Sequence, residues 1–267
     1  MSEVGVPCCK VRCMRSCGEE NSLCRTCGKF GCLKAKTSLR KKLFTSACIA
    51  SVVALVLQIV IACGTSTSNN VIKNVAWSTF DVEDTNVTAN LYVAARRYVV
   101  ELDGTTQGIS TLSNGTLSEP GTYGMNWDEE SCTTRFNGEK YCNKCKDAST
   151  GQITSTYTGL LSSLGQIKFD VQRRTYETDY NCQKTFGIIT GVVGILMNII
   201  TVSSFYKSCV DPTNSNFADV DGELGVGMQC LIVSTIIKFF DTAVHIMIPS
   251  PVERTNKRIE DRSVALA

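Results

Sequence analysis

Residues 43–63 read LFTSACIASVVALVLQIVIAC, 21 positions without one charged side chain. A helix needs about 20 apolar residues to cross a bilayer core, and a helix in a soluble core rarely runs that long without a polar face. Two further stretches share the property. Residues 186–205 (FGIITGVVGILMNIITVSSF) are also uncharged, and residues 224–248 (LGVGMQCLIVSTIIKFFDTAVHIMI) are long enough but carry Lys238, Asp241 and His245. The 43% of hydrophobic residues is thus concentrated in segments. This predicts an integral membrane protein, mainly α-helical, and excludes an ordinary soluble globular domain. Strong spans are expected at 43–63, 185–206 and 224–248.

The 42 residues before the first span hold ten Lys and Arg against three acids, Glu3, Glu19 and Glu20. Positive charge stays cytosolic, so the N-terminus is expected in the cytosol. The span behind it is too long for the apolar region of a signal peptide and reads as a signal anchor. The tail, 249–267, carries Arg254, Lys257, Arg258 and Arg262 and also points to the cytosol, which requires an even number of spans. A marginal fourth span is expected at 151–172. There Ile153, Tyr157, Leu160, Leu164, Ile167 and Val171 recur at 4-3 spacing with Ser, Thr and Gly between them. The expected fold is a four-helix transmembrane bundle. In the rival arrangement this helix stays outside, leaving three spans and an exoplasmic tail.

Residues 64–150 then face the exoplasmic side, and 207–223 form a short loop. The β-rich stretch 91–102 (LYVAARRYVVEL) and turn signals at Asp103-Gly104 and Asn114-Gly115 predict a small antiparallel sheet. Two glycosylation sequons, at Asn86 and Asn114, fall in the same loop. Cys132 and Cys142 flank Asn137-Gly138, a strong hairpin signal, and predict a disulfide across a hairpin in an oxidising compartment. Free thiols are the alternative. Cys145 makes one C-x-x-C with Cys142; with no His nearby, a second disulfide suits it better than zinc, and Cys182 and Cys209 are further candidates.

Trp77 after the first span, Trp127 before the first loop cysteine, and the C-x5-G-x3-C spacing from Cys132 to Cys142 resemble the first extracellular loop of the claudin/PMP22-type tetraspan family. Residues 160–174 (LLSSLGQIKFDVQRR) resemble the helix that leads from that loop toward the family's second span. The resemblance covers roughly residues 77–206. The family's G-L-W-x-x-C becomes Asn126-Trp127 with four residues before Cys132, and Cys145 is extra. The resemblance implies a multi-pass plasma-membrane protein acting through its exoplasmic loop on membrane proteins in cis or trans, including its own copies. Its work would be adhesion, membrane organisation or accessory control of a channel.

Cys8, Cys9, Cys13, Cys17, Cys24, Cys27 and Cys32 are interleaved with basic residues ahead of the first span. That arrangement suits palmitoylation of a membrane scaffold, where acyl chains and basic side chains act together on anionic lipid. Zinc bound by Cys13, Cys17, Cys24 and Cys27, or no modification at all, are the alternatives. Lys238, Asp241 and His245 share one helical face. They read as an ion pair snorkelling to the interface or, alternatively, as the working residues of a transporter or ion-conducting protein. On the other spans only Gln58 and Asn198 stand out as partners, and neither titrates. Gly187, Gly191 and Gly194 form a close-packing face for a helix of this chain or of a second copy. His245 is the single histidine, and no P-loop, G-x-S-x-G or H-E-x-x-H is present, so neither enzymatic activity nor a cofactor is expected. The net charge of +2, with bases mainly at the N-terminus, points to the bilayer surface as partner and away from nucleic acid.

Overall fold

The computed structural model describes residues 37–84, 86–113, 115, 117–129, 132, 139–174, 181–211 and 222–248. The seven N-terminal cysteines, Asn114 and the basic tail lie outside these residues. Four long helices dominate: α1 (Thr37–Cys63), α4 (Glu139–Arg173), α5 (Asn181–Phe205) and α6 (Val226–Met247). Short helices α2 (Asn69–Val75) and α3 (Thr106–Leu112) accompany strands β1 (Ser78–Asp84), β2 (Val87–Val93), β3 (Arg97–Gly104), β4 (Gly121–Asn126) and β5 (Glu223–Leu224). Among the described residues, three helices are long and apolar enough to cross a membrane: α1, α5 with the π-helical turn that extends it (Tyr206–Val210), and α6.

These helices are inside out relative to a soluble protein. Ile49, Val52, Val56 and Ile59 of α1, Ile189, Val192, Leu196 and Ile200 of α5, and Val233, Ile236, Phe239 and Phe240 of α6 are all exposed. Burying such a side chain is worth about 1.5–3 kcal/mol, so a surface this apolar suits a membrane.

α4 does not qualify as a span on composition, yet it follows the same rule. Its exposed large hydrophobics are Tyr157, Leu161, Leu164 and Val171, with Lys144, Lys146 and Lys168 also exposed, while Gln152, Thr156, Ser163, Gln166, Asp170 and Arg173 are buried. The helix starts at Glu139, twelve residues before the expected 151, and runs 35 residues. This corrects the hairpin: no strand follows Asn137-Gly138, because α4 begins directly after it and carries Cys142 in its first turns.

Contacts within the chain group into two units. Among the described residues, one comprises 37–54, 161–174, 181–194 and 236–248, and the other those within 55–160 and 195–235. The second contains the sheet, with strand order β4-β3-β2-β1-β5 and every pairing antiparallel. β2 alternates buried and exposed residues, which puts Val87, Ala89, Leu91 and Val93 on the core face. The β2–β3 hairpin turns at Ala94–Arg96, inside the stretch 91–102 that read as one run. β5 contributes two residues from far along the chain, pairing Leu224 with Ser78 and Glu223 with Thr79. Gly104 closes the β3 end with a φ of 144°, and a Cβ there would strike the Asn86 backbone, so only glycine fits.

Candidate functional site

In the unit that holds the sheet, the core face packs on Trp77, Phe80, Tyr98, Leu102, Met125 and Trp127. Trp77 donates from Nε1 to the Ile61 carbonyl at 3.3 Å and meets the Phe205 ring edge-on at 5.1 Å. Its indole fills the space above Gly64 and Gly227, where any Cβ would collide with it. Trp127 donates to the Ala94 carbonyl at 3.1 Å and stacks on Tyr98. Both tryptophans singled out by the sequence therefore hold the sheet's inner face.

Two disulfides lie beneath them. Cys132 pairs with Cys142, and Cys145 pairs with Cys209 of the π-helical turn, a sequence separation of 64. Cys182, also disulfide-bonded, belongs to neither pair. The C-x-x-C of Cys142 and Cys145 is thus divided between two bridges, which ties the start of α4 both to the segment after β4 and to the end of α5.

The opposite face is partly covered, Ile72 of α2 packing on the buried Val99 beside Tyr92, and polar elsewhere. Asp81, Glu83, Thr88, Asn90, Asp103 and Thr122 are exposed on it, and Glu101 accepts from Lys73 of α2 at 2.8 Å. The bond to Glu101 holds the Lys73 ammonium in its charged form and raises its pKa. Burial pushes the neighbouring Tyr92 phenol up, and the Glu101 charge adds to the shift. Asn86 sits exposed in the β1–β2 turn with Thr88 exposed beside it, so the sequon is accessible. In the same unit Gln58 donates to Asn198 at 2.9 Å and to Ser234 at 3.1 Å, and Asn198 donates to Thr235 at 3.0 Å. The two amides serve each other and neighbouring hydroxyls.

The other unit holds a charged cluster that the sequence reading missed. Lys238, Asp241 and His245 are all buried against the other helices of this unit. Partners come from the other helices. Ser51 of α1 lies 2.9 Å from Asp170 Oδ2 and 3.0 Å from Asp241 Oδ2. His245 Nε2 lies 2.9 Å from Asp170 Oδ1, and Arg173 Nη1 lies 2.8 Å from His245 Nδ1. Lys238 donates to Ser162 at 3.2 Å. Arg173 also donates to the His245 and Ile248 carbonyls, at 3.1 and 2.7 Å, capping the end of α6. Its guanidinium lies over the Phe44 ring at 4.7 Å. Asp170 and Arg173 had a signal: they continue the 4-3 polar stripe of α4 through Ser163 and Gln166.

The three glycines of α5 make this assembly possible. A Cβ at Gly187 would come within 2.5 Å of the His245 ring; one at Gly191 would strike Thr242, and one at Gly194 would strike Ser162 and lie 2.5 Å from Lys238. The glycine face thus packs against this chain's own α4 and α6.

Asp170, Asp241 and His245 also offer ligand atoms within 4.8 Å of one another, a spacing that would suit a small cation. Arg173 argues against one. A guanidinium only donates, so Nδ1 must accept, and the neutral imidazole then carries its proton on Nε2, the atom that would have to coordinate.

A scan of the chain against protein-family models finds no match, and a search of curated proteins likewise returns none.

Proposed function

We propose that this chain is a claudin-like, four-span protein of the plasma membrane. Its exoplasmic sheet docks a neighbouring membrane protein, in the same bilayer or an apposed one, for adhesion, membrane organisation or control of a channel. The observation that carries the reading is the construction of the sheet. Strands separated by more than 100 residues are joined, Trp77 is locked against glycines, and two disulfides staple the same unit, while the opposite face, partly covered by α2, exposes Asp81, Glu83, Thr88, Asn90, Asp103 and Thr122. Such effort on a rigid surface suits recognition, since a preorganised face loses little entropy on binding. The inverted face of α4, apolar outside and polar inside, supports its insertion as the fourth span. The test is proximity cross-linking from the sheet on intact cells, comparing wild type with Asp81→Lys/Asp103→Lys. Partners captured by wild type and lost in the variant, at equal surface expression, are expected; an unchanged partner set would refute the reading.

One observation favours a second reading, ion conduction or transport: Lys238 and Asp241 are buried among polar groups from several helices. Neutralising both abolishes flux under that reading and leaves partner capture intact under the first.

A further inference from the structure

The hydrogens around Ser51 do not balance if both nearby carboxylates are ionised. Its hydroxyl carries one hydrogen, yet it lies within hydrogen-bond distance of Asp170 Oδ2 and Asp241 Oδ2. Two anionic oxygens cannot both be satisfied by that hydrogen. The imidazole fixes how the conflict resolves. Arg173 donates to His245 Nδ1, so His245 Nε2–H donates to Asp170 Oδ1. Asp170 therefore has a donor on one oxygen already, while Asp241 Oδ1 has no hydrogen-bond partner and lies 3.8 Å from His245 Nε2.

We propose that Asp241 is a proton-binding site, held as a neutral carboxylic acid whose Oδ2–H donates to Ser51 Oγ while Ser51 donates to Asp170. Every contact then has one hydrogen. The chain runs from Asp241 to Ser51 to Asp170 on one side, and from Arg173 to His245 to Asp170 on the other. Asp170 is the single anion on which both branches end. The unpartnered Asp241 Oδ1 becomes the carbonyl oxygen of a neutral acid, which tolerates burial far better than an unpaired anionic oxygen.

Charged and titratable groups face the site from all four long helices, and the cations among them oppose the neutral acid, so the hydrogen count at Ser51 alone carries the assignment. α1 brings Arg40, Cys48 and Ser51; α4 brings Asp170, Arg173 and Arg174; α5 brings Lys184; α6 brings Lys238 and His245. Loss of the proton sets two carboxylates in competition for the Ser51 hydrogen and breaks the bridge from α1 to α6. The ligand is thus H⁺, and its release loosens a helix contact. At neutral pH the folded chain binds a proton that an unfolded aspartate has released, so stability falls as pH rises. The site is independent of what the sheet binds.

Infrared spectroscopy of the full-length protein in lipid nanodiscs tests it, using wild type labelled with ¹³C at the aspartate side-chain carboxyl. A protonated-carboxyl C=O band at neutral pH that shifts with the label is expected, with loss of the band in Asp241→Asn. Asp241→Asn should also keep the thermal stability of wild type, because its amide N–H donates to Ser51 as the acid does. Ser51→Ala should move the band toward that of a carboxyl without a hydrogen bond. No label-sensitive band in wild type, or a band unchanged in Asp241→Asn, overturns the proposal. If Asp241→Asn fails to fold, Asp170→Asn replaces it: the band should persist there, and its loss overturns the proposal.

Discussion

The two units bury polar groups by opposite means. Residues 55–160 and 195–235 enclose only neutral amides and hydroxyls between their helices, Gln58 with Asn198, Ser234 and Thr235, and take their rigidity from covalent bridges and large aromatics. In the other unit, residues 37–54, 161–174, 181–194 and 236–248 bury Arg173, Asp170, Asp241 and His245 in a charged network with Ser51, and Cys182 there is disulfide-bonded as well. A stapled module keeps one shape across conditions. A charged network held by individual protons can change with them. The proposed recognition belongs to the first unit and the proposed proton site to the second.

The largest expected loss comes from Arg173→Ala. It removes the donor to His245 Nδ1 and to two carbonyls at the end of α6, and it strips the countercharge from Asp170. Breaking a buried charged network in this way costs about 3–5 kcal/mol, measurable by unfolding in lipid. Arg173→Lys should not restore it, because one ammonium cannot reproduce the forked donors. Next in size are the bridges. Loop entropy predicts about 4 kcal/mol for Cys145→Ser, which opens the 64-residue separation, against about 3 kcal/mol for Cys132→Ser with its separation of 10. Hydrogen exchange should show the loss in β2 and β3; loss of protection around Asp241 instead would break the contrast between the units. Gln58→Leu is expected to cost only about 1 kcal/mol, since Gln58 Oε1 is already without a partner and interhelical amide bonds are individually weak. Lys73→Ala should lower the melting temperature least, the half-buried pair with Glu101 being partly screened by solvent.

Much of the helical frame was legible because a span is a local property: residues 43–63 state their length and lack of charge directly. α4 was only half legible. Its first dozen residues, with Glu139, Lys140, Lys144, Lys146 and Asp147, carry no apolar period, and the Asn137-Gly138 signal outweighed their helix propensity. The apolar 4-3 stripe of α4 was read correctly as a helical face, but the complementary polar stripe through Gln166, Asp170 and Arg173 is the one that turns inward. Lys238, Asp241 and His245 were visible from spacing alone, whereas their partners on α1 and α4 lie more than 60 residues away and leave no local mark. The same holds for Cys145 with Cys209 and for β5 with β1, since non-local pairing is written in the fold.

The proposed function turns on α4 crossing the membrane, which would put both chain ends in the cytosol and the sheet on the exoplasmic side. Immunostaining of intact and permeabilised cells expressing the full chain with a C-terminal epitope, alongside a mobility-shift assay of glycan at Asn86, tests it directly. The account predicts staining only after permeabilisation and a glycan that disappears in Asn86→Gln. An epitope stained on intact cells would contradict it, and so would an Asn86 that carries no glycan when the chain reaches the cell surface.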